Sequence, residues 1–185
     1  MRRREKKSNT FKYENQLSEL IKSILNRIDL NSLIVNISED INHGIKDTNF
    51  NEISAKSKYD IRIFSEELYV NFEEDIEKCN ILNRVPNKIE IFEFLQAFII
   101  LLNIDIGCII SSYIYMKRFL IFTNVPLHLS TWRPLIFISL IIANKVLYDN
   151  NYQIEDFVTF YPFFTIEQVT WMEKKYLEFI DYKLF

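Results

Sequence analysis

The side chains able to do chemistry are few and scattered. His43 and His128 are the only histidines, and neither has a second histidine or a cysteine at metal-ligand spacing. Gly44 and Gly107 stand alone, so no glycine-rich loop can cradle a phosphate on successive backbone N–H groups. Ser111 and Ser112 lie in an apolar run and read as packing residues, while Glu93 has no partner acid or base at a catalytic spacing. Cys79 and Cys108 sit inside helical patterns and cannot build a disulfide framework, which points to a reducing compartment. No catalytic residue, metal site or small-molecule cofactor is expected. What remains is Lys145, a lone cation within an apolar helical pattern. An ammonium offers three N–H donors, so its chemistry is recognition; by itself it reads as a lysine snorkelling from an apolar surface to water.

The element that carries Lys145 runs from Leu129 to Asp149, LSTWRPLIFISLIIANKVLYD. Ser130 or Thr131 can cap it, and Pro134 falls in the first turn, where its missing N–H costs nothing. A helix apolar nearly all round is either the centre of a helical domain or a membrane span. The uninterrupted run from Pro134 to Ala143 is too short to cross a bilayer, which needs about 20 residues. Other apolar helical segments flank it: Ile89–Leu102, Ile104–Phe122, Glu155–Tyr161 and Thr165–Tyr182. Asp105 and Thr165 are the expected caps of two of them, with Gln168 completing a capping box at the last. The pattern is five helices with the third the most buried. The stretch Ile91–Met116 is apolar enough to mimic a membrane span, but Asp105 near its middle fits a helix boundary better than lipid. No membrane partner is expected.

With 185 residues, 49% of them hydrophobic, the chain can bury one substantial core, and only 2 Gly and 4 Pro favour long helices over a turn-rich β fold. A net charge of −3 does not suggest a nucleic-acid binder. Residues 1–15, beginning MRRREKK, read as a disordered basic tail with no secretory h-region behind it, and Arg2 excludes myristoylation. Residues 16–85 read as N-terminal helices with a polar insertion. Leu17, Leu20, Ile21, Ile24, Leu25 and Ile28 form the apolar stripe of an amphipathic helix. Asp29–Ala55, rich in Asn, Ser and Asp, reads as a long loop, and Asn31–Lys58 is expected to be the least ordered internal segment. Ile61–Cys79 reads as a second amphipathic helix, with Ile61, Phe64, Leu68, Phe72, Ile76 and Cys79 inside and Glu66, Glu67, Glu73, Glu74 and Glu77 on a solvated face.

From Pro86 onward the residues resemble a known family. Pro86-Asn-Lys-Ile-Glu-Ile-Phe-Glu-Phe-Leu95 and Cys108-Ile-Ile-Ser-Ser-Tyr-Ile-Tyr-Met-Lys-Arg-Phe-Leu120 resemble the first two helices of a cyclin box. Thr131-Trp-Arg-Pro-Leu through Ala143-Asn-Lys-Val resembles the third, and Trp171-Met-Glu-Lys-Lys-Tyr-Leu177 to Tyr182-Lys-Leu184 the fifth and its exit. The nearest likeness is to the P-type, phosphate-pathway cyclins and the related cyclin Y group, over residues 86–185. The helix Leu17–Ile28 is similar to the one preceding the box in P-type cyclins.

The resemblance implies an all-α fold, a single five-helix cyclin box with additional N-terminal helices. It implies a regulatory subunit that binds and activates a cyclin-dependent protein kinase by packing on the kinase's αC helix, with no catalysis of its own. Lys145 and Glu173 match the lysine and glutamate that hold backbone groups around that helix, and Leu177, Tyr182 and Leu184 match the apolar part of the kinase-facing surface. Lys145 and Glu173 are expected on one exposed face without an obligatory partner in the monomer. The buried Arg–Asp pair that commonly joins the first two helices is replaced by Ala97 and Lys117, both charges being absent together. The sequence ends at Phe185, so a second box is not expected. The alternatives are a cyclin-fold scaffold in another complex and a small helical membrane-associated protein; the expected location is intracellular, cytoplasmic or nuclear.

Overall fold

The computed structural model describes residues 30–47, 49–70, 84–149 and 152–184. Their order is α1 (Leu30–Gly44), α2 (Phe50–Lys56), two 3-10 turns (Ile61–Phe64 and Glu66–Tyr69), α3 (Lys88–Leu101), α4 (Ile106–Thr123), α5 (Trp132–Leu147), α6 (Ile154–Phe160) and α7 (Ile166–Phe179). The described residues are all-α: no strand occurs among them, only one isolated bridge between Lys46 and His128. Helices α3 to α7 are the five expected of the box.

Each box helix begins where its capping chemistry dictates. Asn87 accepts from the N–H groups of Ile89 and Glu90, while Glu90 reaches back to the Asn87 N–H, a complete capping box for α3. Asp105 caps α4 through the Cys108 N–H at 3.1 Å. Thr165 and Gln168 form the capping box of α7, as their spacing predicts. Gly107 leaves room for the Asp105 cap, since a Cβ there would stand 3.0 Å from the Asp105 carboxylate and push it aside. Asn124 closes α4 in the left-handed conformation at φ 52°, which asparagine tolerates better than most residues.

Helix α5 is the centre. Trp132 and every residue from Pro134 to Asn144 are buried. Its side chains reach each of the other box helices: Phe94 and Phe98 of α3 meet Trp132 and Phe137, the Cys108 thiol of α4 points at the Leu140 carbonyl, Phe157 of α6 meets Phe137, and Ser139 bonds the Tyr176 hydroxyl of α7 at 2.8 Å. Thr131 occupies the N-cap position but does not cap with its side chain; its hydroxyl turns back to accept from the His128 N–H. Helix α4 is long and apolar enough to cross a membrane by length and composition alone. Here it lies against α5 with Cys108, Ile109, Ser112, Tyr115, Met116 and Phe119 buried.

Two expectations for the N-terminal part are corrected. The stretch expected as a loop, Asp29–Ala55, is largely helical among its described residues. It holds α1 and α2, and Ile34, Ile37, Ile41 and Ile45 of the α1 region enter the main core while α1 packs along α3. That burial supplies what the Asn- and Ser-rich composition lacks in helix propensity. Residues 61–70 are not the start of a continuous amphipathic helix either. They form two 3-10 turns that bury Ile61, Ile63, Phe64 and Glu66 and leave Leu68 exposed, the reverse of the expected assignment for Glu66 and Leu68. The predicted tail, the helix at 16–28 and the remainder of the helix predicted to end at Cys79 lie outside the described residues.

Candidate functional site

Lys145 enters the surface at the end of α5, one residue after the buried stretch closes. Asn144 anchors that point from inside, its side-chain amide donating to the Tyr152 carbonyl at 3.3 Å. A cation in the last turn of a helix also complements the exposed carbonyls there. Glu173 stands on α7 between Met172 and the Val169–Tyr176 core face. The Lys145 ammonium donates to both Glu173 oxygens, at 2.8 and 2.7 Å. Their side chains are 34% and 14% exposed. The two predicted recognition residues are therefore brought together from adjacent helices, at the rim of the core. Within the monomer each is the other's partner, and Glu173 is less exposed than the expected open face.

The remaining predicted site residues divide. Leu177 lies four residues beyond Glu173, hence next to it along α7, half-buried against the core. Tyr182 is 64% exposed, and it follows Asp181 in the left-handed region at φ 56° and 53°. This pair of positive φ values turns the chain back, with the Tyr182 N–H bonded to the Leu177 carbonyl at 2.8 Å. Leu184 packs on the core, and its carbonyl accepts from the Arg118 guanidinium of α4. Tyr182 is thus presented outward, while Leu177 and Leu184 are shared between core and surface.

A second ion pair was not foreseen. Glu66, from the second 3-10 turn, is 1% exposed and meets Arg133 of the first turn of α5 at 2.8 Å, the arginine side chain being 14% exposed. The Tyr161 hydroxyl donates to the other Glu66 oxygen at 2.5 Å. Arg133 also lies over the Trp132 ring at 4.6 Å. Burial pushes Glu66 above the ordinary carboxylate value of 4.5 despite the opposing pull of Arg133 and Tyr161. Burial and the adjacent carboxylate likewise raise the Tyr161 hydroxyl far up. Beside this pair, Ser65 donates to the Ser130 hydroxyl at 3.0 Å and the Glu66 N–H to the Ser130 carbonyl at 2.9 Å. The signal that could have found it is Arg133 itself. A guanidinium in the first turn of a buried helix needs a carboxylate, though nothing in the sequence says which one.

Lys117, at the position where the resemblance lacks its aspartate, does not enter the interior. It pairs with Asp40 of α1 at 2.7 Å, joined by the Tyr113 hydroxyl, on the exposed side of α4. Among the described residues no group of three or more His, Cys, Asp or Glu is placed to hold a metal ion. The Cys108 thiol is buried and pushed up to about 12, mainly by burial and further by Asp105, so it has little thiolate character.

Five helices packed around a buried central one, with a charged pair at the rim, define an all-α bundle. The sequence model for the cyclin N-terminal domain matches residues 64–185, about two thirds of the chain, and the protein belongs to that family. No solved structure matches the chain. The family's members are regulatory rather than catalytic.

Proposed function

We propose that this protein binds and activates a cyclin-dependent protein kinase, using the α5–α7 rim as the surface that receives the kinase's αC helix. The observation that carries the reading is the Lys145–Glu173 pair, held just beyond the stretch Pro134–Asn144 that α5 buries in the core. The pair is not exhausted by its own bond. Two ammonium hydrogens go to Glu173 and one is left; the carboxylate retains lone pairs beyond the two it uses. Each can therefore take a backbone carbonyl or N–H of an incoming helix without first separating. Charge-assisted bonds of this kind contribute about 1.5–3 kcal/mol each when desolvated. Tyr182, with Leu177 and Leu184 beneath it, supplies the apolar flank.

In this mechanism the protein does no chemistry. It prefers the kinase conformation in which αC is swung in and the β3 lysine–αC glutamate pair is made, and that difference in affinity is what activates. The order of motifs supports a place among the P-type cyclins or the related cyclin Y group, and two cysteines too few for a disulfide framework support residence in the cytoplasm or nucleus. The test is direct. The purified full chain, added to a panel of cyclin-dependent kinases, raises the phosphotransfer rate of at least one of them; binding without activation would support the scaffold alternative, and no binding would remove the kinase reading.

A further inference from the structure

Between α2 and the first 3-10 turn lies a cleft of about 410 Å³. Asn51, Ser54 and Ser57 line it from α2 and its cap, and Lys58, Tyr59, Asp60 and Arg62 from the chain that follows. The cleft is set in place by the core. The Tyr59 ring meets Phe179 at the end of α7 at 4.7 Å, and Ile61 and Ile63, on either side of Arg62, are buried. Ser57 is fixed as the C-cap of α2, its N–H closing on the Ser54 carbonyl. Its hydroxyl oxygen accepts from the Tyr59 N–H at 3.1 Å, which leaves the O–H to donate.

Charge and donors select what it holds. Arg62 donates to both Asp60 oxygens, at 2.8 and 3.2 Å, and both side chains are more than half exposed, so the pair is weakly held and half of the guanidinium stays unused. The Lys58 ammonium lies over the Tyr59 ring at 5.5 Å and meets no carboxylate among the described residues. Lys56, the last residue of α2, adds a further exposed cation beside the cleft. Three cations against the single carboxylate of Asp60 leave two positive charges uncompensated, and the serine hydroxyls and the Asn51 amide are further donors. A phosphate monoester brings about −1.5 to −2 charge and three acceptor oxygens, whereas a carboxylate would only duplicate Asp60. We propose that this cleft binds a phosphate group carried on a serine or threonine of a partner protein. Lys58 and the unused half of the Arg62 guanidinium hold the phosphate oxygens, and Ser57 donates to them. The site stands apart from the Lys145–Glu173 pair and does not depend on the kinase reading.

The test titrates the full chain, at fixed ionic strength, with a short alanine-flanked phosphoserine peptide, its unphosphorylated counterpart and inorganic phosphate. The phosphopeptide should bind saturably, the unphosphorylated peptide not at all and inorganic phosphate more weakly. Lys58→Ala and Arg62→Ala, both at exposed side chains, should each weaken the phosphopeptide about tenfold. Lys46→Ala removes the same charge outside the cleft and should weaken it by no more than about twofold. Asp60→Asn should tighten it about threefold, because the competing carboxylate is gone; the Asp60 side chain caps nothing, so the fold does not depend on it. Equal binding of the two peptides, or no binding of either, overturns the proposal. An equal loss in Lys46→Ala and Lys58→Ala overturns it as well, since net charge alone would then explain the affinity. Inorganic phosphate binding as tightly as the phosphopeptide would overturn the assignment to a partner protein.

Discussion

The two ion pairs anchored on α5 sit at opposite ends of the helix and do opposite things. Arg133, at the front, meets a glutamate that is 1% exposed and already bonded by Tyr161. Lys145, at the back, meets a glutamate at the rim and keeps contact with water. Both pairs have about the same length, 2.8 and 2.7 Å, so geometry does not distinguish them. Burial does. Removing one partner of a buried pair strands an uncompensated charge, whereas removing one partner at a rim returns the other to solvent. The front pair ties three parts of the chain into one body: the 3-10 turn before the box, the start of α5 and the α6–α7 connection. The rear pair joins only α5 and α7 and keeps one side toward water.

That contrast can be broken or sharpened by substitution. The largest effect is expected from Arg133→Ala, which leaves Glu66 buried without its cation and should cost about 3–5 kcal/mol in chemical unfolding. A cost below about 1 kcal/mol would mean that Glu66 takes up a proton or relaxes to solvent and the pair is not a tie. Tyr161→Phe removes one donor to Glu66 and keeps the ring, so about 1–2 kcal/mol is expected in the same measurement. The effect should shrink in an Arg133→Ala background if the three groups act as a unit.

The smallest effects are electrostatic and of opposite sign. Lys117, then Tyr113, holds the Asp40 carboxyl below its ordinary 3.8, so its contribution is complete above that pH and is lost as pH falls through the lower folded value. Asp40→Asn should thus cost about 0.5 kcal/mol near neutrality and nothing at strongly acidic pH. Glu66 is displaced the other way, mainly by burial. In the window above 4.5 the folded state holds its proton more tightly than the unfolded chain, so its contribution falls as pH rises. The stability difference between the parent chain and Glu66→Gln, followed from pH 4 to 7, should move against the parent.

The box was legible because its signals are local. Asp105, Thr165 and Gln168 cap the helices that their spacing predicts, and the apolar run Pro134–Ala143 is the buried centre. Lys145 stood out because a charge in such a run needs a reason. Helix α1 was hidden by composition. Leu33, Ile34, Ile37, Ile41 and Ile45 do recur at helical spacing, but the Asn, Ser and Asp between them are weak helix formers, and the helix depends on α3 for its stability. Glu66 was hidden by its neighbours, since a run of carboxylates reads as solvated and nothing within the run marks the one that turns inward. The Lys145–Glu173 bond itself joins residues on separate helices, and periodicity within either helix carries no information about their contact.

The central claim is that the rear pair is a docking element rather than part of the scaffold, and Lys145→Glu tests it most directly. The variant places a second carboxylate beside one that is 14% exposed but can still reach water, so thermal unfolding should reveal a smaller loss than Arg133→Ala causes. Binding and activation of the cyclin-dependent kinase that the parent chain activates should be abolished in the same preparation. A folded variant that still activates the kinase, or a variant that unfolds, would contradict the account.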